Sequence, residues 1–234
     1  MNILKRFLLG LVRSFNRKVF RTNWKDFRTV KPVSQLFGID RGQSIDRYYV
    51  EKFLNDNRDQ IRGTVLEIGD DSYSRQFGKD ITRQEILHYT TNNSKATIIG
   101  DLTNQATLKN QIADCFICTQ TLNFIYDVKS AVEGIYYMLK ENGYALVTLS
   151  GISQISRYDM DRWGDYWRFT DKSARKLFSD VFGPENVQIV TYGNVLSSVA
   201  FLEGVSAEEL KEEELLFPDN DYQVIIALKV FKVK

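Results

Sequence analysis

Hydrophobic and polar positions follow two periods along this chain, helical spacing in some stretches and strand-like apolar runs in others. Residues 3–20 place Ile3, Leu4, Phe7, Leu8, Leu11, Val12, Phe15 and Val19 at helical spacing with Arg and Lys between them, which predicts a basic amphipathic helix. It is too short and too charged to span a bilayer, and Arg13 interrupts the apolar stretch that a signal peptide needs. Residues 44–61 predict a second helix, with Ser44 as N-cap and Ile45, Tyr48, Tyr49, Phe53 and Leu54 on one face. Strands are then expected over 64–68, 86–89, 96–99 and 115–119. A helix over 129–140 carries Ala131, Val132, Ile135, Met138 and Leu139 as its apolar stripe, and Asn142-Gly143 ends it. A strand over 144–149, a helix over 171–182 stopped by Gly183-Pro184, a strand over 187–192 and a last strand over 222–231 complete the series.

Strands alternating with helices predict an α/β fold with a doubly wound, mostly parallel sheet. The Glu-rich connection over 203–218 suits a last strand inserted antiparallel, and its run Glu208, Glu209, Glu212, Glu213 and Glu214 reads as a solvated helix face. The organisation expected is a basic amphipathic extension over 1–43 and one domain over 44–234, with 151–170 as a lid segment on the substrate side.

Charge changes this picture more than composition does. The 234 residues, 43% hydrophobic and 26% charged, suit one globular domain, and three prolines leave little room for long disordered linkers. Residues 1–31 carry nine Lys or Arg against one acid, Asp26, a net of +8; the chain totals +1, so the rest carries −7. The asymmetry points to an anionic partner for the N-terminus, and two readings stand open: a helix docked on its own domain or on a second subunit, or residues 1–24 lying on an anionic membrane surface. No nucleic-acid partner is expected, because the remainder is acidic. Cys115 and Cys118 form a C-x-x-C inside an apolar run, and His88 is the only histidine, so buried thiols rather than a metal centre are expected, in a reducing cytoplasm.

The chemistry concentrates where predicted strands end. Val65-Leu66-Glu67-Ile68-Gly69-Asp70-Asp71 closes the first with a glycine that lets the backbone turn and approach a ligand. Gly100-Asp101-Leu102 follows the third, and Asp114-Cys115-Phe116-Ile117-Cys118 leads into Thr119, Gln120 and Thr121. Ligands of an open parallel sheet bind beyond such carboxyl ends. After the fifth strand come Tyr158, Asp159, Asp161, Arg162, Trp163, Asp165, Tyr166, Trp167 and Arg168, aromatics and charges that suit a polyhydroxylated ligand or a hydrophobic lid.

Over about residues 60–150, these motifs and Tyr-Met-Leu-Lys-Glu-Asn-Gly-Tyr-Ala-Leu-Val-Thr resemble a class I S-adenosylmethionine (SAM)-dependent methyltransferase. The resemblance implies a Rossmann-like, seven-stranded sheet with an antiparallel last strand and SAM as cofactor. Glu67 and Gly69 would line its methionine end, Asp101 would bond the adenine amino group beside Leu102, and Thr119, Gln120 and Thr121 would border the cofactor and the reacting methyl. Arg41-Gly42-Gln43-Ser44-Ile45-Asp46-Arg47-Tyr48-Tyr49, the stretch from Gly151 to Asp159, and Trp163-Gly164-Asp165-Tyr166-Trp167-Arg168-Phe169-Thr170 resemble a bacterial subgroup that accompanies glycosyltransferases and surface-polysaccharide synthesis. That implies O-methylation of a saccharide or polysaccharide precursor at the inner membrane face and a glycosyltransferase partner. Asp159, Asp161 or Asp165 would serve as general base, with Tyr158, Trp163, Tyr166, Trp167 and Arg168 binding the substrate.

The chain departs from that family at three places. The G-x-G-x-G loop reads Gly69-Asp70-Asp71-Ser72-Tyr73, the ribose-binding acid after strand two is replaced by His88-Tyr89-Thr90-Thr91-Asn92-Asn93, and Leu-Glu-His after strand four reads Leu122-Asn123-Phe124. Asp70, Asp71 or Asn92 would then meet the ribose. The departures suit a second role, a non-catalytic binding or scaffold subunit in polysaccharide assembly.

Overall fold

The computed structural model describes residue 11 and residues 28–233. The predicted helix over 3–20 lies outside the described residues apart from Leu11. The chain divides into two units, Met1–Pro32 and Val33–Lys234, and the second holds all the elements below. It begins ahead of residue 44 because the segment before the first helix is tied in: Ser34 N donates to Glu203 O at 2.9 Å, and the Phe37 and Phe201 rings lie 5.9 Å apart.

The elements run α1 (Ile45–Asp56), β1 (Gly63–Ile68), α2 (Ser72–Phe77), β2 (Ile81–His88), β3 (Ile98–Ile99), β4 (Ala113–Thr119), α3 (Val128–Met138), β5 (Leu139–Ser150), α4 (Arg157–Trp163), α5 (Asp171–Phe182), β6 (Val187–Tyr192), α6 (Val195–Glu203), α7 (Glu212–Leu215) and β7 (Ile225–Phe231). The seven strands stand in the order β3-β2-β1-β4-β5-β7-β6. All pairings are parallel except those of β7 with β5 and β6, so the antiparallel last strand expected from sequence is present. The order reverses between β1 and β4, and a crevice opens there beyond the carboxyl ends.

The sheet is covered on both faces, as near-continuous apolar strands require. One layer packs Ala131, Val132 and Ile135 of α3 and Ala174 and Phe178 of α5 on Leu66, Phe116 and Val147. The other packs Tyr49, Phe53 and Leu54 of α1 and Phe201 of α6 on Val65, Ile117 and Leu146. Cys118 belongs to the first layer and Cys115 to the second, because residues three apart on a strand point to opposite faces. Both thiols are free, burial raises both, and neither faces the other.

Several boundaries differ from expectation. The helix predicted to 61 stops at Asp56, and a short 3₁₀ turn, Arg58–Gln60, follows. α3 stops at Met138 rather than 140 because the Lys232 ammonium donates to the Tyr136 and Leu139 carbonyls at 2.9 and 2.8 Å, leaving 140–143 as an irregularity within β5. The acidic run is not one solvated face: Glu209 pairs bidentately with Arg41, and Glu208 accepts from Gln43 N.

Candidate active site

Three strand ends and two loops build the crevice. Gly69 ends β1 at φ +86°, and a Cβ there would meet nothing within 4 Å, so the backbone faces open space. Asn93 Nδ2 bonds the Gly69 carbonyl at 2.6 Å and ties this turn to the loop after β2. Gln120 follows β4 in the left-handed region, φ +47°, a conformation costly for a side chain with a Cβ. Asp101 and Leu102 are held against α3, where Gly134 leaves no room for a side chain: a Cβ would lie 2.1 Å from Leu102 O.

A cavity of about 700 Å³ opens at these ends. Ile68, Gly69, Leu87, His88, Asp101, Leu102, Gln120, Phe124, Tyr126, Asp159 and Trp163 are among its lining residues. The Asp101 carboxylate accepts through Oδ1 from Thr103 N and Oγ, both at 2.8 Å, so its position is fixed beside the apolar Leu102. A second cavity of about 360 Å³ lies under α1 and is bordered by Phe37, Asp46, Arg47, Glu67, Asp70, Thr119, Asn123, Asp165 and Arg168. Ile68, Gln120, Phe124 and Asp159 border both cavities, so the two meet there.

Glu67 is buried and accepts from Tyr73 N at 3.1 Å and Ser74 N at 2.9 Å, at the start of α2. Burial pushes its pKa up to about 7 against those bonds. Against the cost of burial, Ser72 holds the Asp70 carboxyl below its usual range, its amide donating at 2.9 Å. Asp71 pairs with Arg75 at 2.6 Å.

The three predicted base residues fare differently. Asp159 stands where the cavities meet and accepts from Ser156 Oγ at 2.6 Å. Asp161 lies outward on α4, 65% exposed and paired with Arg157. Asp165 is enclosed and held by the Arg168 guanidinium at 2.6 and 2.8 Å, which keeps its carboxyl below the usual range. Among the predicted substrate residues, the Trp163 ring meets His88 and Tyr89 edge-on, each at 6.2 Å. Tyr166 borders the larger cavity; Trp167 stacks on Tyr126 at 5.8 Å and donates to the Ile125 and Tyr126 carbonyls. Tyr158 lies under the Arg162 guanidinium, 3.2 Å from its ring centre, and borders a shallow hollow with His88, Asn92 and Lys95.

Sequence reasoning did not single out Phe37, Asp46, Arg47 or Asn123 as lining residues. Asn123 was visible as the middle residue of Leu122-Asn123-Phe124, but the approach of α1 to the strand ends has no local signal.

Solved structures share this fold. The N-methyltransferase NodS from Bradyrhizobium japonicum WM9, in complex with S-adenosylhomocysteine, is similar with a TM-score of 0.52 and 10% identity over 83% of this chain and 90% of that one. The 1,6-didemethyltoxoflavin-N1-methyltransferase from Burkholderia thailandensis gives 0.51 and 11% identity over 96% and 90%. The [4+2]-cyclase SpnF gives 0.52 and 12% over 82% and 84%. Identities this low show the fold alone. No protein-family model matches the chain, and no curated protein matches it in sequence.

Proposed function

We propose that this protein is a SAM-dependent methyltransferase that methylates a hydroxyl of a saccharide or polysaccharide precursor. The observation that carries the reading is the pair of joined cavities at the β1/β4 reversal, one with an apolar floor and a fixed carboxylate, the other polar. The larger falls in the range of small-molecule sites, roughly 300–1,000 Å³. NodS and the toxoflavin enzyme, both with S-adenosylhomocysteine bound, support SAM as the ligand of this fold.

Its residues fit that ligand. Asp101 would accept from the adenine amino group, with Leu102 against the ring. Gly69 leaves its backbone open to close approach, while Asp70, Thr119 and Gln120 border the end that opens toward the second cavity. Glu67 acts one step removed, by fixing the α2 amides behind that loop. When bound, SAM supplies a methyl group on an electrophilic sulfonium.

Asp159 would take the proton of an acceptor hydroxyl, a role supported by its bordering both cavities. Asp165 is a positioning residue that fixes Arg168, and Asp161 has no contact with either cavity. Trp163 and Tyr166 close the larger cavity, and exclusion of water and alignment of the two reactants are the main service the protein renders to an in-line displacement. Residues 1–24 would hold the enzyme on an anionic membrane surface beside a glycosyltransferase.

A second reading keeps the fold as a binding subunit. The cyclase SpnF shows that chains of this fold are not all named as methyltransferases. His88 and Tyr89 also stand where an acid would meet the ribose. Calorimetric titration with SAM and S-adenosylhomocysteine separates the two. The expected result is micromolar binding of both, lost in Asp101→Ala. Absence of binding at millimolar ligand would reject the enzyme in favour of the binding subunit.

A further inference from the structure

The second cavity has an uneven charge and one unsatisfied group. Asp46, Glu67, Asp70, Asp159 and Asp165 border it, against Arg47 and Arg168. Arg168 is committed to Asp165, with its remaining bonds to the Gln154 and Trp167 carbonyls. That leaves Arg47, over the Tyr73 ring, to face the remaining acids. Burial raises the Asp46 carboxyl above its usual range, against the pull of Arg47 and a hydrogen bond from Ser44.

Asn123 is 4% exposed, and its Oδ1 is enclosed without a hydrogen-bond partner. The orientation of the amide is dictated by its neighbour. Nδ2 lies 3.5 Å from Asp165 Oδ1, and turning the amide over would set two acceptors against each other. The carboxamide oxygen therefore lacks a donor within the packed protein, and because Asn123 borders the cavity, a shift of its amide would bring that oxygen to a donor arriving there.

We propose that this cavity selects an acceptor that presents hydrogen-bond donors and no negative charge, and rejects one with a phosphate at the inserted end. The inference rests on the methyl-transfer reading above. A sugar hydroxyl donates to Asn123 Oδ1, a second reaches Asp159, and the Phe37 and Phe124 rings offer apolar faces to the ring carbons. A phosphate in the same place meets the carboxylates of Asp70 and Asp159, and the Arg168 guanidinium is already spent on Asp165.

The test uses the full chain saturated with S-adenosylhomocysteine, and saturation-transfer NMR compares methyl hexosides with hexose 6-phosphates. The expected result is a preference of about tenfold or more for the neutral hexoside. Asp46→Asn should narrow that ratio, and Asn123→Leu should weaken the hexoside about tenfold, both with S-adenosylhomocysteine affinity unchanged as the check on folding. Equal or reversed preference, or no hexoside bound by protein that holds S-adenosylhomocysteine, overturns this inference and leaves the cofactor reading standing. Failure to hold S-adenosylhomocysteine overturns both.

Discussion

The Glu67 carboxylate lies in the interior between β1 and α2, with two amide hydrogens directed at it. Its pKa of about 7 in the fold lies above the value near 4.3 of an unfolded chain. Between those values the folded state binds the additional proton, so stability falls as pH rises. The contribution is fully present below the unfolded value and is lost as pH passes through about 7. Glu67→Gln keeps an acceptor for one amide and removes the titration. Urea denaturation from about pH 4 to pH 8 should show the wild type losing on the order of 3 kcal/mol relative to the variant. Parallel profiles for the two proteins would remove Glu67 as the source. The same residue marks how far the site was readable in the chain. Glu67, Gly69, Asp101 and Gln120 stand at strand ends, where an apolar run followed by glycine or acid is visible locally. That Asp165 would be enclosed by Arg168 was not visible. Asp159, Asp161 and Asp165 look alike in a string of aromatics and charges, and only the fold of the segment separates them.

At the scale of elements, α4 is lightly anchored. None of its seven residues is buried, and Trp163 attaches it by edge contacts to His88 and Tyr89 at the end of β2. Such contacts contribute about 0.5–1.5 kcal/mol each. Trp163→Ala should therefore speed S-adenosylhomocysteine release about tenfold and raise amide exchange over 157–163, with little loss of global stability because the core is untouched. Stopped-flow release and hydrogen exchange read the two effects; unchanged exchange with unchanged release would show that Trp163 does not hold α4. The same weakness hid α4 in the sequence, since a helix that buries nothing has no apolar stripe. α6 was missed for the opposite reason: Val195, Leu196, Val199 and Leu202 stay exposed while Ala200 and Phe201 pack inward, so the segment is apolar all round. β2 begins at Ile81 rather than 86 because its first half, Thr82, Arg83, Gln84 and Glu85, is polar and is drawn into the sheet by pairing with β1. β4, β5 and β7 were readable because buried parallel or central strands are continuous apolar runs.

At the scale of the whole molecule, the opposition of charge along the chain makes a prediction that the folded unit alone does not. Residues 1–31 hold a net +8 and the remainder −7, with Ile3, Leu4, Phe7, Leu8, Leu11, Val12, Phe15 and Val19 interleaved among the N-terminal cations. No helix among the described residues is long and apolar enough to cross a membrane. A basic amphipathic segment binds an anionic surface by two additive terms, apolar burial at the headgroup boundary and attraction of about 1 kcal/mol per cation near the surface. An acidic domain opposes the second term, so the protein would be held by its N-terminal segment and repelled over its body. Flotation of the full chain with vesicles containing phosphatidylserine should carry the protein upward. Vesicles of phosphatidylcholine alone should carry much less, and added salt should weaken the anionic case by screening. A chain lacking residues 1–24 should stay with the soluble fraction in every case and still bind S-adenosylhomocysteine. Equal partitioning of the two proteins would take the membrane role away from the segment, and its cations would then have to answer to the acidic surface of a protein instead.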